Sequence, residues 1–208
     1  MYILLSLAAI LFVLVGNELL WRRRNTHKEH SRKTVHILVG SFVAFWPLFM
    51  SWTDIRIISV AFLLAVIASK LLNIFASIHE VERFTLGEVS FALAVGGVTF
   101  VTKSDWIYAA AILQMGLADG LAAIAGTHFG ENNSYKVFGF KKSIAGSLTF
   151  LIVSLAVIFI SSHIAGNALP WQTGVLAALS ATLLEIVAVW GLDNLLLPLV
   201  TALILMHP

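Results

Sequence analysis

Apolar residues run through this chain in long stretches separated by short polar clusters. Stretches of that kind are built for hydrocarbon, where a helix satisfies its own backbone polar groups. They predict spans at 2–21, 35–50, 55–75, 86–101, 106–126, 147–165, 171–190 and 195–206. Several fall short of the roughly 20 residues that cross a bilayer. The pattern therefore predicts an all-α, polytopic integral membrane protein with seven or eight transmembrane helices, forming one domain over 1–208. The first run is expected to be retained: no basic residue precedes it, it carries Asn17 and Glu18, and it ends in Trp21 and Arg22 to Arg24 without a small-residue cleavage pattern.

Composition supports that class, with 59% hydrophobic and 12% charged residues and a mean hydropathy of +0.93, against about 25% charged in soluble proteins. The absence of cysteine excludes disulfides, thiolate metal sites and cysteine nucleophiles. The placement of charge matters more than its net value of +2. Arg22, Arg23, Arg24, Lys28, Arg32 and Lys33 lie between spans one and two, Lys70 and Arg83, counting boundary residues, between three and four, and Lys136, Lys141 and Lys142 between five and six. Only Arg56 and Lys103 fall on the opposite loops. The positive-inside rule then puts the basic face in the cytosol and, with eight spans, both termini outside.

The chemistry-bearing groups fall on that same face. Asp119 lies within a span, where a carboxylate costs about 2.5–3.5 kcal/mol to insert, so a partner such as a metal ion, a base or water is expected, and the residue is a functional candidate. Glu185, in ALSATLLEIVAVWG, reads the same way. Downstream of Asp119, Gly126, Gly130, Gly139 and Gly146 allow close backbone approach, while Lys141, Lys142 and Ser143 offer two cations and a hydroxyl suited to phosphate oxygens. Arg32 and His36 stand at i and i+4, one helical face, next to Lys33. Glu88, Asp193 and Asn194 serve equally well as caps or as site residues. The glycines Gly116, Gly120 and Gly126 fit helix packing. His79, His128 and His163 have no metal-ligand spacing, and neither a P-loop nor a dinucleotide fingerprint is present. Ser143, His128 and Asp119 lack the nucleophile elbow of a hydrolase.

The ordered motifs SRKTVHILVG at 31–40, RFTLGE at 83–88, ADGLAAIAGTHFG at 118–130, KKSIAGS at 141–147 and LLEIVAVWGLDNLLLPLV at 183–200 resemble the CTP-dependent polyprenol kinase family. That group contains dolichol kinases, phytol kinases and a CTP-using diacylglycerol kinase, and the short chain is similar to the phytol kinase type. The resemblance implies transfer of the terminal phosphate of CTP to the hydroxyl of a membrane alcohol (phytol, polyprenol or dolichol, or diacylglycerol), giving a lipid monophosphate and CDP. No nucleic acid is involved. It also implies Mg²⁺ on Asp119, with Lys141 and Lys142 on the CTP phosphates and Ser143 as a phosphate or metal contact. Gly126, Gly130 and Gly146 would sit beside the nucleotide. Arg32, Lys33 and His36 would neutralise transferred charge, and Glu88, Glu185, Asp193 and Asn194 would complete the polar shell. The general base is left open among the carboxylates. Ala145 departs from the family pattern, in which an acid is expected between the serine and the glycine, so Glu88, Glu185 or Asp193 would have to complete the metal shell. The expected location is the cytosolic face of a cell membrane, or of an endoplasmic reticulum or plastid membrane in a eukaryote. A cytidylyltransferase releasing pyrophosphate and an ion-coupled transporter are the other classes that these residues allow.

Overall fold

The computed structural model describes residues 1–24, 28–72 and 86–208. His79, Arg83 and the rest of the RFT half of RFTLGE lie outside the described residues, as do the side chains of Arg22, Arg24, Lys28 and Lys70. Eight helices are described, one for each predicted span: α1 (Tyr2–Arg24), α2 (Lys28–Ala44), α3 (Trp52–Leu71), α4 (Gly87–Val101), α5 (Asp105–Phe129), α6 (Ile144–Ile164), α7 (Trp171–Val187) and α8 (Asp193–Leu205). Among the described residues four stretches are long and apolar enough to cross a membrane: Tyr2–Trp21, Trp52–Ser69, Asp105–Phe129 and Ile144–Ile164. Helices α4, α7 and α8 are shorter apolar rods, and α2 starts seven residues before the predicted run, so the SRKTVH motif at 31–36 is helical and falls in its first half.

Helix α5 is the axis of the bundle. Of its apolar stretch 72% is buried, against 17% in α1, 22% in α3 and 28% in α6. A helix that is apolar all round belongs at the centre, and Tyr108, Ile112 and Met115 are fully enclosed there by α2, α4, α6 and α8. Its first half is Asp105–Leu113 and its second Asp119–Phe129, joined by a π-turn over Gln114–Ala118. The Asp119 amide donates to the Gln114 carbonyl, five residues back. One extra residue turns everything after it by about 100° relative to an unbroken α-helix.

That turn lies where α2 crosses α5 at backbone contact. A Cβ on Gly40 would sit 2.7 Å from the Gly116 Cα, so any side chain at the crossing forces the helices apart. At one end of the bundle α3 is stapled to α4: the Arg56 guanidinium donates from Nε to Thr99 Oγ1 at 2.9 Å and from Nη2 to the Thr99 carbonyl at 3.0 Å, and Lys103 donates to that same carbonyl.

Among the described residues one sheet interrupts the helices. Residues Ser134–Val137 (β1) and Phe140–Ser143 (β2) pair antiparallel, with Tyr135 opposite Lys142 and Lys136 opposite Lys141. The two-residue turn holds Phe138 at φ 49° and Gly139 at φ 84°, the left-handed pair that matches the twist of a tight hairpin. The KKS triplet is therefore strand, and its side chains alternate between two faces.

Candidate functional site

At the crossing, Lys33, His36 and Gly40 form one stripe on α2 that faces α5. Lys33 Nζ meets Asp119 Oδ2 at 2.6 Å, and the side chains retain 11% and 7% of their exposure. His36 Nε2 lies 2.8 Å from the Met115 carbonyl and 3.7 Å from Asp119 Oδ2. A carbonyl only accepts, so Nε2 carries the proton and a neutral ring keeps Nδ1 as its acceptor. The π-turn leaves Asp119 facing this stripe, and Ile37 fills the space in front of Gly120. Asp119 thus has the partner that its insertion cost demands, in the form of a lysine and an imidazole.

The second cluster is built by the hairpin. The face of the hairpin carrying Tyr135, Val137, Phe140 and Lys142 is half-buried, while Ser134, Lys136 and Lys141 are exposed on the other. Tyr135 Oη is 2.7 Å from Ser147 Oγ, and Phe140 meets the Trp190 ring edge to face at 6.2 Å. Lys142 reaches Glu185 Oε1 at 2.6 Å and also donates to the Glu185 carbonyl. Glu185 belongs to the last turn of α7, which ends at Val187 and not at 190, so this carboxylate sits at the end of its helix and not mid-span. Ser147 donates to its other oxygen at 3.5 Å.

Asp193, at the start of α8, lies within electrostatic range of Asp119, Lys33 and Lys142, and Glu185 within that of Asp119 and Asp193. Its neighbour Asn194 ties the helix ends together, donating from Nδ2 to the Gly87 carbonyl at 2.9 Å. The Leu86 amide donates to the Trp190 carbonyl at 2.8 Å across the same seam, where Trp190 and Gly191 take left-handed backbone. Three carboxylates and two lysines from α2, α5, β2, α7 and α8 therefore share one end of the bundle. Among the described residues no three His, Asp or Glu side chains close on one point as a preformed metal cage.

Not every expected residue joins them. Lys141 points to the outer hairpin face beside Lys136, because neighbours on a strand face opposite ways. Ser143 caps α6, its Oγ accepting from the Gly146 amide at 3.0 Å. The space before Gly126, Gly130 and Gly146 is taken up by Ser143 and by neighbouring backbone. In this structure those glycines pack the second half of α5 against α6. Arg32 and Glu88 border, with His36, a groove between α1, α2, α3 and α4. The α2–α5 crossing itself had a visible trace in the spacing of Gly40, Gly116 and Gly120, and the hairpin had one in the alternation of YKVFGFKK around Phe-Gly. The π-turn and the pairing of Lys33 with Asp119 had none.

No family model and no solved structure matches the chain. Among curated proteins it is 35% identical over 199 residues to the phytol kinase of Synechocystis sp. (strain ATCC 27184 / PCC 6803 / Kazusa), an alignment that covers 92% of this chain and 84% of the relative. With that identity spread over nearly the whole length, the chain belongs to the polyprenol and phytol kinase family.

Proposed function

We propose that this protein is a CTP-dependent lipid kinase that transfers the terminal phosphate of CTP to the hydroxyl of a membrane isoprenoid alcohol such as phytol, giving the lipid monophosphate and CDP. The observation that carries the reading is the gathering of Asp119, Lys33, His36, Lys142, Glu185 and Asp193 at one end of the bundle. Phosphoryl transfer asks the protein for positioning and charge neutralisation more than for covalent chemistry. Lys142 stands one residue before the Ser143 cap of α6, so its charge and the positive end of a 21-residue helix act on the same anion. Lys33 places a second cation directly against Asp119.

In the transfer, the acceptor oxygen bonds to the terminal phosphorus while the bond from that phosphorus to the bridging oxygen breaks. The bonding pair stays on CDP, and the hydroxyl proton passes to a base. The donor set fits a Mg²⁺ that arrives with the nucleotide, since such an ion uses one or two carboxylates plus substrate phosphates and needs no cage. Asp119 would hold it, with Asp193 near enough to act on Asp119 electrostatically, and the bound ion would supply positive charge to the phosphates. Ala145 leaves Glu185, bonded to Lys142 on the adjacent strand, as the carboxylate beside the start of α6.

Purified protein given CTP or ATP, Mg²⁺ and a panel of lipid alcohols tests the reading. The expected products are CDP and a lipid monophosphate, with CTP the faster donor. Pyrophosphate with a CDP-lipid, a clear preference for ATP, or no turnover on any alcohol overturns it. The site is also expected to face the cytosol: in this cysteine-free chain, Asn132→Cys at the exposed start of the hairpin should react with an impermeant thiol reagent from that side alone.

A further inference from the structure

His36 belongs to two places at once. On α5 it meets the Met115 carbonyl and approaches Asp119, and it also borders a groove of about 450 Å³ between α1, α2, α3 and α4. That volume lies in the range of small-molecule sites, about 300–1,000 Å³. The walls are almost wholly apolar: Leu7 and Leu11 from α1, Val39 from α2, Ala61 and Ala65 from α3, and Phe91 from α4. Among the described residues the polar lining consists of Arg32 and His36 near the start of α2, Glu88 at the start of α4 and Ser69 near the end of α3. Leu7, Leu11, Ala61 and Ala65 are exposed as well as lining, so the groove opens sideways between α1 and α3, where a bilayer would present acyl chains. Along α3 from Ala61 to Ser69 it runs about 12 Å at 1.5 Å per residue.

An apolar trough that opens to the side and ends in a cation, an imidazole and a carboxylate matches an amphiphile with one hydrocarbon tail and one small polar head. We propose that this groove is the acceptor site: the tail of a single-chain alcohol lies along α3, and its hydroxyl comes to His36. Resting on the lipid-kinase reading, this inference gives the enzyme two entrances on opposite sides of α2, lipid through the groove and nucleotide beside the hairpin. The Nδ1 of His36 accepts from the hydroxyl, and the ring, braced edge-on by Phe91 at 5.3 Å, positions the oxygen next to the Asp119 cluster. Because the groove is short, it reads the carbons nearest the hydroxyl and leaves the remainder of a long chain to the bilayer.

The test uses full-length protein in nanodiscs and a C15–C20 primary alcohol with a photoactivatable diazirine a few carbons from the hydroxyl, without nucleotide. Crosslinks are expected on Leu7–Leu14 of α1 and Ala61–Ser69 of α3, removed by excess unlabelled alcohol. Ala65→Phe and, as a second filling variant, Leu11→Trp should each lower the labelling and raise the KM for the alcohol tenfold or more, leaving the KM for nucleotide and the thermal midpoint unchanged. Crosslinks confined to other helices, or an alcohol KM unmoved by both variants, overturn the groove even if the protein proves to be a kinase. Competed labelling in the groove with no phosphate transferred from any nucleotide leaves the groove standing as an alcohol site and overturns the kinase reading.

Discussion

Two lysine–carboxylate pairs of equal length are held in different ways in this molecule. Lys33–Asp119 and Lys142–Glu185 both close at 2.6 Å with most of their side chains hidden. The first is held between two helices in backbone contact at Gly40 and Gly116, and the π-turn and the His36 ring hold Asp119 in place. The second hangs from a two-stranded hairpin whose opposite face is exposed, and Lys142 retains 18% of its exposure against 11% for Lys33. A pair locked into a helix crossing suits a group that must not move, such as a metal-holding carboxylate. A lysine on a hairpin suits one that exchanges an internal partner for an incoming phosphate.

The largest effect should come from the locked pair. Asp119→Asn is expected to cut phosphoryl transfer by about 10²–10³-fold, the usual loss for one electrostatic contact in a site. It also strands Lys33, which costs about 3–5 kcal/mol when a buried pair loses one partner. Lys33→Met combined with Asp119→Asn should recover thermal stability but not turnover. Recovery of both would reduce Asp119 to a counterion for Lys33.

On the hairpin the expected loss is smaller and of another kind. Lys142→Ala removes one charge-assisted contact worth about 1.5–3 kcal/mol, so the KM for nucleotide should rise about 10- to 100-fold while the KM for the alcohol holds. An unchanged nucleotide KM would make Lys142 a structural tie to Glu185.

The contrast can be sharpened at the crossing. Gly116→Ala places a methyl group 2.8 Å from the Gly40 Cα, and overpacking of that kind costs about 1–3 kcal/mol. A lowered melting midpoint should come with lowered turnover, since separating α2 from α5 also separates Lys33 and His36 from Asp119. Normal turnover in a destabilised protein would show that the pair tolerates movement after all. The smallest effect is expected at Lys141→Ala on the exposed hairpin face, with less than about a twofold change in nucleotide KM. A loss matching that of Lys142→Ala would mean that the hairpin turns over when nucleotide binds.

The eight apolar runs, the all-α class and the burden of Asp119 follow from residue order, because helix formation in hydrocarbon is a local decision and the cost of a buried carboxylate does not depend on knowing its neighbours. The five ordered motifs carried the family in the same local way. What pairs with what was decided only in the tertiary structure. Lys33 lies 86 residues from Asp119 and Lys142 lies 43 from Glu185, distances over which no periodicity runs. Two adjacent lysines read as one phosphate clamp until strand pairing sent Lys141 outward and Lys142 inward. The glycines at 126, 130 and 146 read as a nucleotide cradle until helix packing filled them with Ser143. Composition establishes which groups must find partners; which partners they find depends on a helix crossing, one extra residue in a turn and the two faces of a strand.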